Sequence, residues 1–250
     1  MAGTAVLRRL TWAIAEVVDR VGETPRVQSL TFDVPDWPGH LPGQHIDVRL
    51  TAEDGYRAQR SYSIATPADG TRVTITVERL EDGEVSSYLT DVLEISDRVE
   101  LRGPIGGYFV WEPARGGPLG LIGGGSGVAP LMAMLRARVG AGSAVPVRML
   151  CSWRMAEDVI YAAELAAIAS EGDGISITHT LTRSAPEGWS GRRGRFDREA
   201  LSQLTWPPAM EPLTYVCGPT GFVEVVASVL VELGHEPRRI LTERFGPTGG

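Results

Sequence analysis

Polar and apolar residues alternate with a two-residue period through most of the chain between residues 10 and 110, a pattern typical of half-buried strands. The alternating segments are residues 12–18, 27–34, 45–50, 72–78 and 98–101. Turn clusters rich in Pro, Gly and Asp separate them, and one helix-like piece, residues 85–93, interrupts them. About six short antiparallel strands of this kind predict a small β-barrel.

From residue 118 onward, short apolar runs alternate with amphipathic segments of helical length. The predicted strands are residues 119–122, 145–152, 175–181, 213–217 and 240–242, and the predicted helices are residues 130–139, 158–169, 197–204 and 221–233. This alternation predicts a parallel sheet with helices on both faces, which is a Rossmann-like α/β domain. We therefore divide the chain into a β-barrel domain, residues 1–113, and an α/β domain, residues 114–250.

The composition narrows the class of protein. A net charge of −7 argues against nucleic-acid binding, and no run reaches the length of a membrane span or a secretory signal. Two distant cysteines exclude a disulfide framework and an internal iron–sulfur cluster. We expect a cytoplasmic monomer without a metal site, and surface or loop positions for the histidines, which lack metal-ligand spacing: His40, His45, His179 and His235.

A glycine-rich segment connects the first strand and the first helix of the α/β part. It contains Gly125, Ser126, Gly127 and Val128, with Pro130 where the third glycine of a dinucleotide loop would stand. Backbone N–H groups at such a helix start bind phosphate, and proline suits a first helical turn. The segment predicts a dinucleotide site, although glycine-rich turns also occur for packing alone.

The strand ends that follow predict the type of coenzyme. NAD sites carry an acid about 20 residues after the loop, whereas this chain has Ser152 and Arg154 at the end of its second strand. Thr182 and four further arginines follow: Arg183, Arg192, Arg193 and Arg195. Because arginine suits a 2′-phosphate, we expect NADP(H) to be favoured over NAD(H). Incidental arginines on a solvated loop are the alternative.

A second candidate segment is Arg60-Ser61-Tyr62-Ser63, at the edge of a strand-like stretch. Residues two apart on a strand share a face, so Arg60 and Tyr62 project together. They offer a cation for a phosphate and a ring for stacking. A surface cation–π pair is the alternative.

The order of the motifs resembles that of the ferredoxin–NADP reductase superfamily, in particular of FAD-dependent oxygenase reductase components without a fused [2Fe–2S] domain. The motifs are residues 60–63, 76–79, 83–89, 103–109, 123–130, 217–219 and 243–246. The resemblance extends from about residue 10 to residue 250 and implies an FAD-binding barrel followed by an NAD(P)-binding α/β domain.

The resemblance also implies roles for individual residues. The residues implied to bind FAD are Arg60 on a phosphate, Ser61, Tyr62 on the isoalloxazine, Ser63 near flavin N5, Val77, Glu78, Arg79, Gly83, Val85, Ser86 and Ser87. Those implied to bind NAD(P) are Gly125, Ser126, Gly127, Val128, Cys217, Gly218 and Pro219. The strand-end argument above adds Arg154, Thr182, Arg183, Arg192 and Arg195 to the NAD(P) candidates. Ser63, Cys217, Glu243 and Phe245 are implied to act at the reacting rings. A small buried side chain at a strand end is the alternative for Cys217.

By this resemblance the chain is an NAD(P)H-dependent flavoprotein that passes single electrons to a separate redox protein such as a ferredoxin. An acidic ferredoxin would need a basic patch, for which the candidates are Arg8, Arg9, Arg57, Arg60, Arg238 and Arg239. Two alternatives stay open: a flavin reductase or diaphorase that acts on small acceptors, and a non-enzymatic flavin-binding redox sensor.

Overall fold

The computed structural model describes residues 10–245, so the outer ends of both predicted domains, with Arg8, Arg9 and Gly246, lie outside the described residues. Six antiparallel strands form the first sheet, in the order β4-β3-β6-β1-β2-β5. The strands are β1 (Trp12–Thr24), β2 (Val27–Asp33), β3 (His45–Thr51), β4 (Arg57–Ser63), β5 (Arg72–Glu78) and β6 (Arg98–Ile105). The sheet curls until the chain after β4 reaches β5, where Ile64 and Ile75 form an isolated bridge.

The two-residue period decides which side chains fill this barrel. On β5, Val73, Ile75 and Val77 are fully buried in the barrel core, while Thr74 and Thr76 point the other way. The predicted helix over residues 85–93 is a short helix, α1 (Glu84–Ser87), continued by a π turn, Tyr88–Val92. Leu89 and Leu93 of this segment enter the barrel core and cover one end of it.

The second sheet has six parallel strands in the order β10-β9-β8-β7-β11-β12. The strands are β7 (Leu119–Gly124), β8 (Val147–Trp153), β9 (Ile175–Leu181), β10 (Arg192–Arg193), β11 (Leu213–Pro219) and β12 (Ile240–Phe245), and the helices are α2 (Val128–Gly140), α3 (Ala162–Ser170), α4 (Arg198–Leu204) and α5 (Thr220–Glu232). All of β7 is buried, because hydrophobic clusters cover both faces of the sheet. The predicted combination of a barrel and a Rossmann-like domain is confirmed.

The topology places a crevice at the carboxyl ends of β7 and β11. The chain proceeds from β7 to β8 and β9 on one side and returns to β11 on the other side of β7. Ligands of open parallel sheets bind at such a reversal of strand order. A ligand is therefore expected beside residues 123–128 and 217–219, which lie at these strand ends.

The segment between the domains is packed and is not a free linker. Trp111 is fully buried and its indole N–H donates to the Gly116 carbonyl oxygen at 3.1 Å. The hydroxyl of Tyr215, on β11, donates to the carbonyl oxygen of Val110 at 2.7 Å. The segment thus attaches the end of the barrel to the α/β core.

The structure corrects the expectation for the histidines. His45 and His179 lie half-buried on β3 and β9, and His179 stacks on Trp153 with ring centroids 6.3 Å apart. His40 and His235 do lie in loops, but both are buried. Sequence position alone did not reveal this because the burial of a histidine depends on which segments pack over it.

Candidate active site

The end of β4 forms the wall of the predicted flavin site. The phenol of Tyr62 packs half-buried against the barrel core, and burial raises its pKa. Arg60, two residues earlier, is exposed. Ser61 faces the opposite side of the strand, where its hydroxyl donates to Asp47 at 2.6 Å. Arg60 and Tyr62 therefore share one face, and the side chain of Ser61 does not belong to it.

Ser63 ends the strand with an unused polar atom. Among the described residues, its hydroxyl oxygen is one of four buried side-chain polar atoms without a hydrogen-bond partner. An orphaned buried hydroxyl carries a desolvation cost unless a ligand satisfies it. This observation fits a flavin ring against β4.

The three predicted residues at the end of β5 have different surroundings. Val77 lies in the barrel core. Glu78 points toward the α/β domain and accepts a hydrogen bond from the Ser126 hydroxyl at 2.8 Å. Arg79 pairs with Asp91 at 2.7 Å. The side chain of Glu78 thus connects the end of β5 directly to the glycine-rich loop.

The turn before α1 requires its glycine. A Cβ on Gly83 would stand 2.2 Å from the hydroxyl oxygen of Ser86. That hydroxyl donates to the Gly83 carbonyl oxygen at 3.1 Å, and the Ser87 hydroxyl donates to the Leu80 carbonyl oxygen at 3.1 Å. Val85 is buried and anchors the turn, and α1 contacts β4. The turn therefore lies beside β4, the strand that carries Arg60.

Glycines allow the loop after β7 to touch the tip of β11. A Cβ on Gly127 would lie 2.5 Å from the carbonyl oxygen of Cys217. Gly218, at φ +151°, would place a Cβ 3.0 Å from the Gly124 carbonyl oxygen. Val128 begins α2 without a side-chain cap at Gly127. The Val128 N–H donates to the carbonyl oxygens of Gly125 and Ser126, so an anion here would bind to the N–H groups of the turn Gly125–Gly127 that precedes the helix.

A cavity of about 200 Å³ lies beside this loop. Its lining includes Gly125, Ser126, Arg154, Thr182 and Pro219 among the predicted residues. It also includes residues that sequence reasoning missed: Thr24, Arg26, Val27, Trp153, Asp158, Ile160 and Phe222. The barrel residues in this set carry no motif, so only the domain contact reveals them.

The predicted arginines do not all gather in this cavity. The backbone N–H of Arg183 donates to the carbonyl oxygen of Arg154, so these two residues are neighbours. Arg192 lies on the edge strand β10 and pairs with Asp197 at 3.2 Å. Arg195 is exposed, and neither it nor Arg192 lines the cavity. Arg154 is the predicted arginine that the structure places at the cavity.

The strand register brings the two halves of the site together. His45 pairs with Ser63 in the barrel, and Cys217 pairs with Glu243 in the parallel sheet. The Nδ1 atom of His45 is 3.8 Å from Oε1 of Glu243, across the domain junction. The predicted flavin wall and the predicted nicotinamide pocket therefore meet at one place. His45 was missed, although its place opposite Ser63 in a barrel could have indicated it.

Burial controls protonation at this junction. It raises the pKa of Glu243 to about 7 and lowers the pKa of His45. Burial, with the charge of Glu243 as a second cause, raises the pKa of Cys217. Cys217 is thus a protonated thiol at neutral pH, unsuited to nucleophilic attack.

Cys217 and Cys151 cannot form a disulfide with each other. Both pair in register with Gly123, from opposite sides of β7. Two strand spacings separate them, about 10 Å, which exceeds the reach of a disulfide. Within residues 10–245, no group of three or more His, Cys, Asp or Glu side chains could hold a metal.

Three further predicted residues lie near the ends of the parallel sheet. Phe245 pairs with Pro219 and packs, half-buried, on the α/β core. Arg238 and Arg239 precede β12, at the end of the sheet opposite to Cys217, and Arg239 donates to the Pro212 carbonyl oxygen. These two arginines therefore do not share a patch with Arg60.

The comparisons with known proteins agree with this geometry. The family described as Oxidoreductase FAD-binding domain matches residues 15–110, and the family described as Oxidoreductase NAD-binding domain matches residues 121–228. Within the described residues, no helix has the length and apolar character needed to cross a membrane.

Two curated relatives and one solved structure are similar over most of the chain. Ferredoxin–NADP reductase B of Sorangium cellulosum (strain So ce56) is 34% identical over 232 residues, 89% of this chain and 93% of that protein. The glycine betaine monooxygenase reductase subunit of Pseudomonas aeruginosa (strain UCBPP-PA14) is 31% identical over 95% of this chain but 66% of that protein. The FAD/NAD-binding domain of a nitric oxide dioxygenase from Vibrio cholerae O1 biovar El Tor superposes with a TM-score of 0.83 at 28% identity, covering 94% of this chain and 99% of that one.

The barrel and the parallel sheet match FAD-binding and NAD-binding domains in the same order along one chain. The first relative is matched over almost its full length. The chain therefore belongs to the ferredoxin–NADP reductase superfamily and is an NAD(P)H-dependent, FAD-containing oxidoreductase.

Proposed function

We propose that this protein takes hydride from NADPH onto FAD and delivers the electrons one at a time to a separate redox protein, a ferredoxin or an oxygenase component. The observation that carries the proposal is the meeting of Ser63 and His45 with Cys217 and Glu243 at the domain junction. The flavin would lie against the barrel side of this junction and the coenzyme against its α/β side. The names of the two curated relatives agree with an electron-accepting protein partner.

The chain's own part in this reaction is positioning. Arg60 and the turn at Gly83–Ser87 would hold the phosphates of FAD, Tyr62 would pack on its ring, and Ser63 would donate a hydrogen bond to it. Bound FAD would supply the conversion of a two-electron donor to single electrons. The loop at Gly125–Val128 and the tip at Cys217–Pro219 would hold the coenzyme against that ring.

The residues at the junction would exclude water and hold protons. Cys217 is a neutral thiol fully buried in the α/β core beside Gly218 and Pro219, so it would shape the floor under the nicotinamide without bonding to it. The raised pKa of Glu243 keeps a proton within reach of the junction near neutral pH. Phe245 would close the α/β side of the site, beside Pro219.

Turnover with different acceptors tests the proposal. The purified protein should retain FAD through gel filtration, and NADPH should reduce cytochrome c at a rate that depends on added [2Fe–2S] ferredoxin. Loss of the flavin, with turnover that requires free flavin, would indicate a flavin reductase. Retained flavin with no oxidation of either coenzyme would indicate a sensor.

The coenzyme preference depends on Arg154. NADPH should have a lower KM than NADH, and Arg154→Ala should raise the KM for NADPH about ten- to a hundredfold while changing that for NADH little, because a charge-assisted phosphate contact is lost. Arg198→Ala is the matched control, since Arg198 pairs with Glu232 at 2.8 Å on the far helices. Equal efficiency of both coenzymes in the parent would reject this preference.

A further inference from the structure

A buried polar network joins the two domains beside the site, and Tyr161 lies at its centre. Tyr161 immediately precedes α3 and is 5% exposed. Its hydroxyl is hydrogen-bonded to the hydroxyl of Thr76, on β5 of the barrel. Thr76 directly precedes Val77 and Glu78, so the contact reaches the barrel beside the flavin wall.

The network continues through the barrel and returns to the same tyrosine. Thr76 and Ser29 share a hydrogen bond of 2.9 Å, and the Ser29 hydroxyl donates to Oε1 of Glu23 at 2.7 Å. The other carboxylate oxygen of Glu23 accepts the backbone N–H of Tyr161 at 3.3 Å. Tyr161 is thereby held at both its hydroxyl and its backbone by three barrel strands.

An arginine of the α/β domain completes the junction. The guanidinium of Arg136, on α2, lies 4.7 Å from the centroid of the Tyr161 ring. It donates to the Ala65 carbonyl oxygen at 2.7 Å and to both carboxylate oxygens of Glu164 at 2.9 and 2.6 Å. Ala65 follows Ser63 by two residues, and α2 is the helix that begins at the glycine-rich loop. The network thus connects the elements that carry the two binding sites.

The backbone of Tyr161 indicates that this placement has a conformational cost. Its φ of 58° and ψ of 29° lie in the left-handed region, which a bulky residue rarely adopts. Such a conformation persists only where surrounding contacts determine it. Here it delays the start of α3 to Ala162 and turns the ring toward the barrel.

We propose that Tyr161 is a positioning residue that sets the orientation of the two domains and hence the approach of the coenzyme to the flavin wall. The inference rests on the proposed function. Domains joined in one chain move relative to each other unless their interface prevents it. Apolar contacts also span this interface, since Val27 and Phe109 lie in the α/β core cluster. Removing one hydroxyl should therefore leave the domains associated but less accurately oriented.

Two substitutions remove the contact from opposite sides. Tyr161→Phe keeps the ring and its contact with Arg136, and Thr76→Val keeps the shape of the threonine. Each should slow flavin reduction by NADPH about ten- to a hundredfold in anaerobic stopped-flow measurements, because reaction rates fall steeply with small misplacements. Flavin content, the visible spectrum and reoxidation of the dithionite-reduced protein by ferricyanide should be unchanged, since none of them crosses the interface.

Thr74→Val is the matched control. Thr74 lies on the same face of β5, two residues earlier, and its hydroxyl bonds to that of Thr31 within the barrel at 2.9 Å. This variant should be reduced at the parental rate. The inference is overturned if Tyr161→Phe and Thr76→Val are reduced at the parental rate, if both half-reactions slow equally, or if Thr74→Val is as slow as Thr76→Val. If neither NADPH nor NADH reduces the flavin of the parent protein, the proposed function is refuted, and the inference with it.

Discussion

Replacing Gly127 with alanine should destabilise the α/β domain by about 3 kcal/mol, because a Cβ there overlaps backbone atoms that cannot move aside. The nearest atoms are the carbonyl oxygen of Cys217 at 2.5 Å and the Cα of Gly218 at 2.6 Å. Both belong to β11, which is paired on each side by a parallel strand. The loop must therefore lift from the strand tip, and the KM for either coenzyme should rise.

Urea unfolding and steady-state kinetics measure the two effects, and the barrel should still bind FAD. Gly125→Ala is the control, two residues away in the same loop. Its Cβ would meet no atom within 4 Å, so only the left-handed φ of +55° opposes it, at a cost of about 1 kcal/mol. If Gly127→Ala proved no less stable than Gly125→Ala, the close contact between loop and strand would be wrong.

Replacing Glu243 with glutamine should stabilise the protein at pH 8 but not at pH 4.5. The folded pKa of Glu243 is about 7 because burial disfavours its carboxylate, whereas an exposed glutamate titrates near 4.5. Between these values the folded protein holds a proton that the unfolded chain has released, so folding stability falls as the pH rises through this window. The lost stability is about 3 kcal/mol over the whole window. Glutamine, which mimics the protonated acid, avoids this loss.

The measurement is the free energy of unfolding of parent and variant at several pH values between 4.5 and 8. The difference between the two proteins should grow with pH and level off above pH 7. Glu224→Gln, at an exposed position on α5, should follow the parent within about 0.5 kcal/mol at every pH. A constant difference between parent and Glu243→Gln would show that the carboxyl group titrates normally in the folded protein.

Local patterns predicted most of the secondary structure because each pattern depends only on which side of the strand or helix faces a core. Alternation on β5 requires only that one side of the strand faces a core, and Val73, Ile75 and Val77 supply that side. The helix α3 was placed too early, at residue 158, because its apolar period begins before the backbone becomes helical. Tyr161 is not helical, and its hydroxyl contacts Thr76 of the barrel domain. No local sequence pattern indicates a contact with another domain.

The candidate site was predicted as separate segments. The contact between His45 and Glu243, where these segments meet, was not predicted. Ser63 and Cys217 belong to motifs that a reader can find along the chain. The approach of His45 to Glu243 depends on two strand registers and on the docking of one sheet against the other. The presence of Arg26 in the lining of the cavity beside the glycine-rich loop depends on the same docking.

The amino-acid sequence therefore contained the two-domain organisation, the glycine-rich loop and the strand ends, since these follow from periodicity and from residue types that few backbones accept. Its local patterns did not show which other segments of the chain these segments contact. The predicted arginines illustrate the difference: Arg154 reaches the cavity beside the glycine-rich loop, whereas Arg192 lies on an edge strand and pairs with Asp197. Strand order and domain orientation choose between such neighbours, and both result from the packing of residues far apart in the chain.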